Sequence, residues 1–165
     1  MDAKPFANTP EFCAALGWFY AVWSNTELNI DYAIGKLENI SPEKTHALVA
    51  KLKFSDKVKL LRVLLNKSAY TNIDKLQQYL NRIEKDSLRN AFSHSFLASD
   101  ADSVMFIHRK SERGKYSPMM YHFPVDGFLA HVKYFARLSA DFQKALGFSQ
   151  KEIAAFASYA LPETK

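Results

Sequence analysis

The chain has 165 residues, 48% hydrophobic and 24% charged, which excludes a disordered segment and supplies enough apolar material for one full core. A net charge of +5 is compatible with a polyanionic partner but does not require one. Cys13 is the single cysteine, so an intramolecular disulfide and a cysteine-rich zinc site are both excluded.

The first long helix is expected from about Pro10 to Glu38, because Phe12, Leu16, Phe19, Trp23, Ile30, Ile34 and Leu37 recur at threes and fours. Its apolar beginning, Phe12 to Trp23, is too short to span a bilayer and runs on into polar helical sequence. The expectation is a soluble, cytoplasmic chain with no membrane partner. Ser41-Pro42-Glu43 starts a second helix with a capping hydroxyl, a first-turn proline and an acid at the positive end of the dipole. Ser55 or Asp56 is expected to cap a third, carrying Val58, Leu60, Leu61, Leu64 and Leu65.

Thr71 or Asn72 opens the next helix, with Ile73, Leu76, Leu80 and Ile83 inward and an end expected near His94 to Phe96. From Ser103 to Phe123, two apolar runs flank the polar tip Ser111-Glu112-Arg113-Gly114-Lys115, the pattern of a short β-hairpin or an ordered loop. Helical periodicity resumes at Val125 through Phe128, Leu129, Val132, Phe135 and Leu138 and stops at Gly147. Ser149-Gln150-Lys151-Glu152 is a capping box for a short final helix over 149–160. The fold class is therefore mainly all-α: one domain over 1–165, with about five to six helices, a core over about 10–147 and the insertion at 103–123.

Chemistry concentrates at Arg89-Asn90-Ala91-Phe92-Ser93-His94. If one helix continues through this segment, Ser87, Asn90 and His94 extend the Leu76/Leu80/Ile83 stripe in polar residues, where polar groups need partners or a purpose. A histidine moves protons near neutrality, and a guanidinium binds phosphate oxygens with a planar fork, so the pair suits cleavage of an RNA phosphodiester. Such a site needs neither metal nor cofactor. In an ideal helix Arg89 points about 140° from His94, so a loosened helix end, a curling arginine or a second protomer must bring them together.

These residues resemble the ribonuclease signature of the HEPN superfamily: an arginine, a polar residue directly after it, and a histidine after four to six intervening residues. Phe54-Ser55-Asp56-Lys57-Val58-Lys59-Leu60-Leu61 is also similar to segments that precede the motif helix in bacterial HEPN-like proteins. The resemblance implies a compact helical bundle acting as a homodimer on RNA without metal, in toxin or phage-defence settings, where an antitoxin protein can be a partner. It implies Arg89 on the phosphate, Asn90 orienting the histidine or substrate, and His94 as acid/base; the neighbouring hydroxyls of Ser87 and Ser93 are candidates for support. Products would carry a 2′,3′-cyclic phosphate and a 5′-hydroxyl.

Two further features are weighed. Glu27 shares the stripe of Trp23, Ile30 and Ile34; it is either a boundary acid solvated at its tip or a partly buried one needing a cation, for which Arg89 is a candidate. Arg109, Lys110, Arg113 and Lys115 at the hairpin tip either hold RNA backbone or form a solvated turn. The competing reading of the whole is a non-catalytic helical module for RNA or protein binding, with Arg89 and His94 in a structural polar network.

Overall fold

A computed structural model describes residues 4–109, 111–112 and 115–159. The described residues are mostly helical, with one three-stranded antiparallel sheet and a two-stranded ladder at its tip. They fall into two compact units, each assembled from segments far apart in sequence: 1–22 with 85–137, and 23–84 with 138–165.

The second unit has a largely aliphatic core, to which Trp23, Phe142 and Phe156 add buried rings. Ile30 and Ile34 of α1 (Pro10–Glu38), Val58, Leu61 and Leu65 of α3 (Phe54–Asn66), and Leu76, Leu80 and Ile83 of α4 (Ile73–Asp86) are all fully buried. α2 (Pro42–Val49) begins as its sequence requires: Ser41 Oγ accepts from the Lys44 N–H at 3.4 Å, and Pro42 fills the first turn. Neither Ser55 nor Asp56 caps α3. That helix starts at Phe54 after Lys53, whose side chain makes no capping bond, and the Phe54 ring packs on Trp23 at 4.6 Å. A ring contact on the half-buried Phe54, not a capping hydroxyl, marks this start. Arg62 then joins α3 to α4, donating to Asn81 Oδ1 at 2.9 Å and pairing with Glu84 at 2.8 Å. The capping box Ser149–Glu152 is formed at the start of α7 (Gln150–Ser158), after Gly147 at φ 76 ends the preceding helix.

The first unit is packed with rings. Phe12 and Phe19 of α1, Phe106, and Phe128 and Phe135 of α6 (Val125–Leu146) are buried, with Phe12 stacked on Phe128 at 5.1 Å and Phe19 against Phe135 at 5.3 Å. The expected hairpin is present as β2 (Ser103–His108) and β5 (Met119–Pro124), with β3 (Ser111–Glu112) and β4 (Lys115–Tyr116) at its tip. A third strand, β1 (Ser95–Ser99), was not foreseen; it pairs with the outer side of β2 to give the order β1-β2-β5. Asp100 shapes the β1–β2 turn, its Oδ1 accepting from the Asp102 N–H at 2.9 Å and from Ser103 Oγ at 3.0 Å. Those bonds hold its carboxyl below the usual range. The inner face of the sheet buries Val104 and Phe106. No helix among the described residues is long and apolar enough to cross a membrane.

Candidate functional site

The helix expected to run unbroken to His94 stops at Asp86. Leu88 adopts a left-handed conformation at φ 52 and ψ 21, which a helix cannot continue through, and α5 (Arg89–His94) begins afresh. Neighbouring side chains hold the break. Tyr134 donates to Asp86 Oδ2 at 2.6 Å, His131 is hydrogen-bonded to the Ser87 backbone, and Ser87 Oγ accepts from the Arg89 N–H at 3.5 Å. Ser87 is 4% exposed, so it serves the break from inside and is not part of an accessible site. Burial among Phe92, Phe123 and Tyr134 pulls the His131 imidazole below its ordinary pKa, against the Ser87 backbone and Asp86, which push the other way.

The break changes what the motif faces. The stripe of Leu76, Leu80 and Ile83 ends with α4, so Asn90 and His94 do not extend it; both are exposed. Phe92 anchors α5, meeting Phe19 edge-on at 4.8 Å and Phe106 at 4.6 Å. With Ala91 and Phe92 buried, a turn of about 100° per residue leaves Arg89, Asn90, Ser93 and His94 within one outward arc of about 140°. Arg89 Nη1 donates to Asn90 Oδ1 at 3.2 Å, and Ser93 Oγ shares a hydrogen bond with the Tyr20 hydroxyl at 3.3 Å. Thus four of the residues singled out in the sequence stand together on one short helix, open to a large substrate.

The strand register brings a second group to the same place. β1 starts directly after His94, and its first residue, Ser95, pairs with His108. His94 and Arg109 therefore each lie one residue beyond that pair, at the tip end of the sheet. The Arg109 guanidinium lies 4.3 Å from the centroid of the Phe96 ring, and Phe96 is 56% exposed. On the inner face, Ser95 Oγ and His108 Nδ1 are buried and have no hydrogen-bond partner among the described residues. Sequence reasoning missed Phe96. The alternation Phe96/Ala98 against Leu97/Ser99 could have revealed it, but only once this stretch is read as a strand.

The remaining candidates are dispersed. Glu27 belongs to the second unit and its cation is Lys57, not Arg89: Lys57 Nζ lies 2.9 Å from Glu27 Oε1 and 2.9 Å from Asp31 Oδ2. Lys57 is 6% exposed, so it does not join Lys51, Lys53 and Lys59, its neighbours in sequence, in a basic surface. Burial pushes the Asp31 carboxyl up despite Lys57; burial pulls Lys57 down, but its bonds to Asp31 and Glu27 outweigh this and leave it raised. Lys115 is exposed in β4, whereas Lys110 and Arg113 lie outside the described residues.

His46 is a packed residue of α2: its ring stacks on Phe156 at 4.1 Å and its Nε2 bonds the Phe156 carbonyl oxygen at 2.9 Å. Among the described residues, no group of three or more His, Cys, Asp or Glu is arranged to hold a metal ion. A cavity of about 260 Å³ in the second unit is lined by Tyr32, Lys36, Asn39 and Phe156, among others, and by none of the motif residues. The chain matches no family model, no curated protein and no solved structure.

Proposed function

We propose that the chain is a metal-independent endoribonuclease of the HEPN kind, with Arg89, Asn90 and His94 as its working residues. The observation that carries this reading is the outward arc of α5, where an exposed imidazole shares a helix face with a guanidinium and an amide already bonded to each other. In the proposed reaction the ribose 2′-oxygen attacks the adjacent phosphorus, and the bond from phosphorus to the 5′-oxygen breaks. His94 takes the 2′-hydroxyl proton or returns one to the departing 5′-oxygen. Arg89 lies against the phosphate and stabilises the extra charge of the transition state, and Asn90 holds the guanidinium in place. A homodimer would set two such arcs around one cleft, letting one imidazole act as base while the other acts as acid.

The test is cleavage of mixed RNA in excess chelator by the intact chain, His94→Ala and Arg89→Ala. Each substitution is expected to lower the rate by about 10²-fold or more, and the products should carry 2′,3′-cyclic phosphate ends. Cleavage that survives both substitutions would sink the assignment.

A further inference from the structure

The sheet has two unlike faces. Cross-strand partners share a face, so the register places Phe96, Ile107 and Met120 in one outward row and Ala98, Met105 and His122 in the next. Phe96 is 56% and Met120 is 66% exposed. Solvent-facing strand positions are ordinarily polar, so an exposed ring beside an exposed thioether is a departure with a cost in water. No carboxylate occurs at these six positions. The acids nearest in sequence, Asp100 and Asp102, belong to the β1–β2 turn, at the end of the sheet opposite the tip.

Beyond the opposite end of β2 the sequence turns basic. Arg109 follows β2 directly, and the stretch from Arg109 to Lys115 holds four cations against one acid in sequence. The Arg109 guanidinium is already placed over the Phe96 ring. A guanidinium on a ring presents a flat, cationic surface, on which a base can stack while a phosphate oxygen takes the N–H groups at its edge. Phe96 follows His94 by two residues, roughly 7 Å of extended chain. A base stacked there would lie within one or two nucleotides of a phosphate at His94.

We propose that the outer face of the β1-β2-β5 sheet is a platform for single-stranded RNA, on which Phe96 and Arg109 together stack a base beside the scissile position. This inference rests on the ribonuclease reading for the nature of the ligand but makes a separate claim about binding. It selects unpaired RNA, because bases inside a duplex cannot splay onto a ring. The occupant is a polyanion rather than another protein, because the face sets an aromatic anchor under the Arg109 guanidinium and carries no carboxylate at its six outward positions.

The decisive experiment measures binding of fluorescently labelled unpaired RNA and of an RNA duplex by anisotropy at two salt concentrations. It uses the intact chain carrying His94→Ala to prevent turnover. Adding Phe96→Ala is expected to weaken unpaired RNA by roughly tenfold and leave the duplex unchanged, with Phe96→Trp restoring affinity. Arg109→Gln is expected to weaken binding and lower the salt slope by about 0.7. Unchanged affinity in Phe96→Ala overturns the platform. So does a Phe96→Ala chain that merely passes from dimer to monomer in sedimentation, since that result makes the face a protein interface.

Cleavage assays with His94 intact separate the two proposals. If the intact chain cuts RNA and Phe96→Ala does so with unchanged KM, the platform falls and the ribonuclease stands. Binding that depends on Phe96 in a chain that never cuts leaves the platform standing and removes the ribonuclease.

Discussion

The two units solve the same packing problem with different materials. The first fills its interior with Phe12, Phe19, Phe92, Phe106, Phe128 and Phe135, and its half-buried imidazole, His131, is held toward the neutral form. The second relies mainly on Ile, Leu and Val side chains, with the rings of Trp23, Phe142 and Phe156 buried beside them, and it buries Lys57 against Asp31 and Glu27. Rings interlock at fixed angles and can hold a short helix such as α5 in one orientation, which a candidate site on that helix requires. A buried ion cluster does something else. It adds little net stability, but it is costly to leave half-made and so penalises misplaced packing.

The largest effects should come from breaking either device singly. Lys57→Met strands two carboxylates in an apolar setting and should cost about 3–5 kcal/mol in chemical unfolding. Replacing Glu27, Asp31 and Lys57 together with apolar residues of similar size should restore or exceed the original stability. Phe92→Ala should also cost about 3–5 kcal/mol, and no second substitution of that kind is available to rescue it. Amide exchange should place its damage in 85–137, and that of Lys57→Met in 23–84. Damage spread equally through both units by either variant would erase the distinction drawn between them.

A middle-sized effect tests how closely the second unit is fitted. A Cβ on Gly35 would collide with Thr45 Oγ1, and Thr45 is 1% exposed while its hydroxyl donates to the Ser41 carbonyl oxygen at 2.9 Å. Gly35→Ala should therefore destabilise by about 1–3 kcal/mol, although alanine is the better helix former. A more stable Gly35→Ala chain would mean that α1 and α2 can move apart freely.

What the sequence made legible follows from how local each cause is. α1 runs from Pro10 to Glu38, and Ser41 and Ser149 cap as expected, because period and capping chemistry act within a few residues. The break before α5 was hidden because Ser87-Leu88 carries neither glycine nor proline. Its causes are Tyr134, His131 and the burial of Phe92, two of them more than 40 positions away in sequence. β1 was hidden for a related reason: five residues directly after a helical motif become a strand only when β2 arrives to pair with them. Lys57 left a readable sign, since it stands one turn before Leu61 on the apolar stripe of α3, and Glu27 and Asp31 are themselves one turn apart. The motif residues were found by their chemistry, but the helix face they share was not.

The smallest effect distinguishes the units by pH. The folded first unit holds the His131 imidazole below its ordinary value of 6.5, so below that value the unfolded chain binds the proton more readily than the folded one does. Stability attributable to His131 is therefore full at neutral pH, falls as pH drops from about 6.5 toward the folded value, and levels off once both forms are protonated. His131→Phe removes that dependence, and its unfolding midpoint relative to the parent should shift toward the variant as the solution is acidified through that window. Lys57 carries the opposite arrangement: while Asp31 and Glu27 stay ionised, its raised pKa keeps its contribution intact at neutral pH and releases it only as pH rises above about 10.5. A parent-minus-variant difference that stays flat from neutral pH into acid would mean the imidazole takes up its proton in the fold as readily as in the unfolded chain. The ring cluster around it would then be far more hydrated than its burial implies.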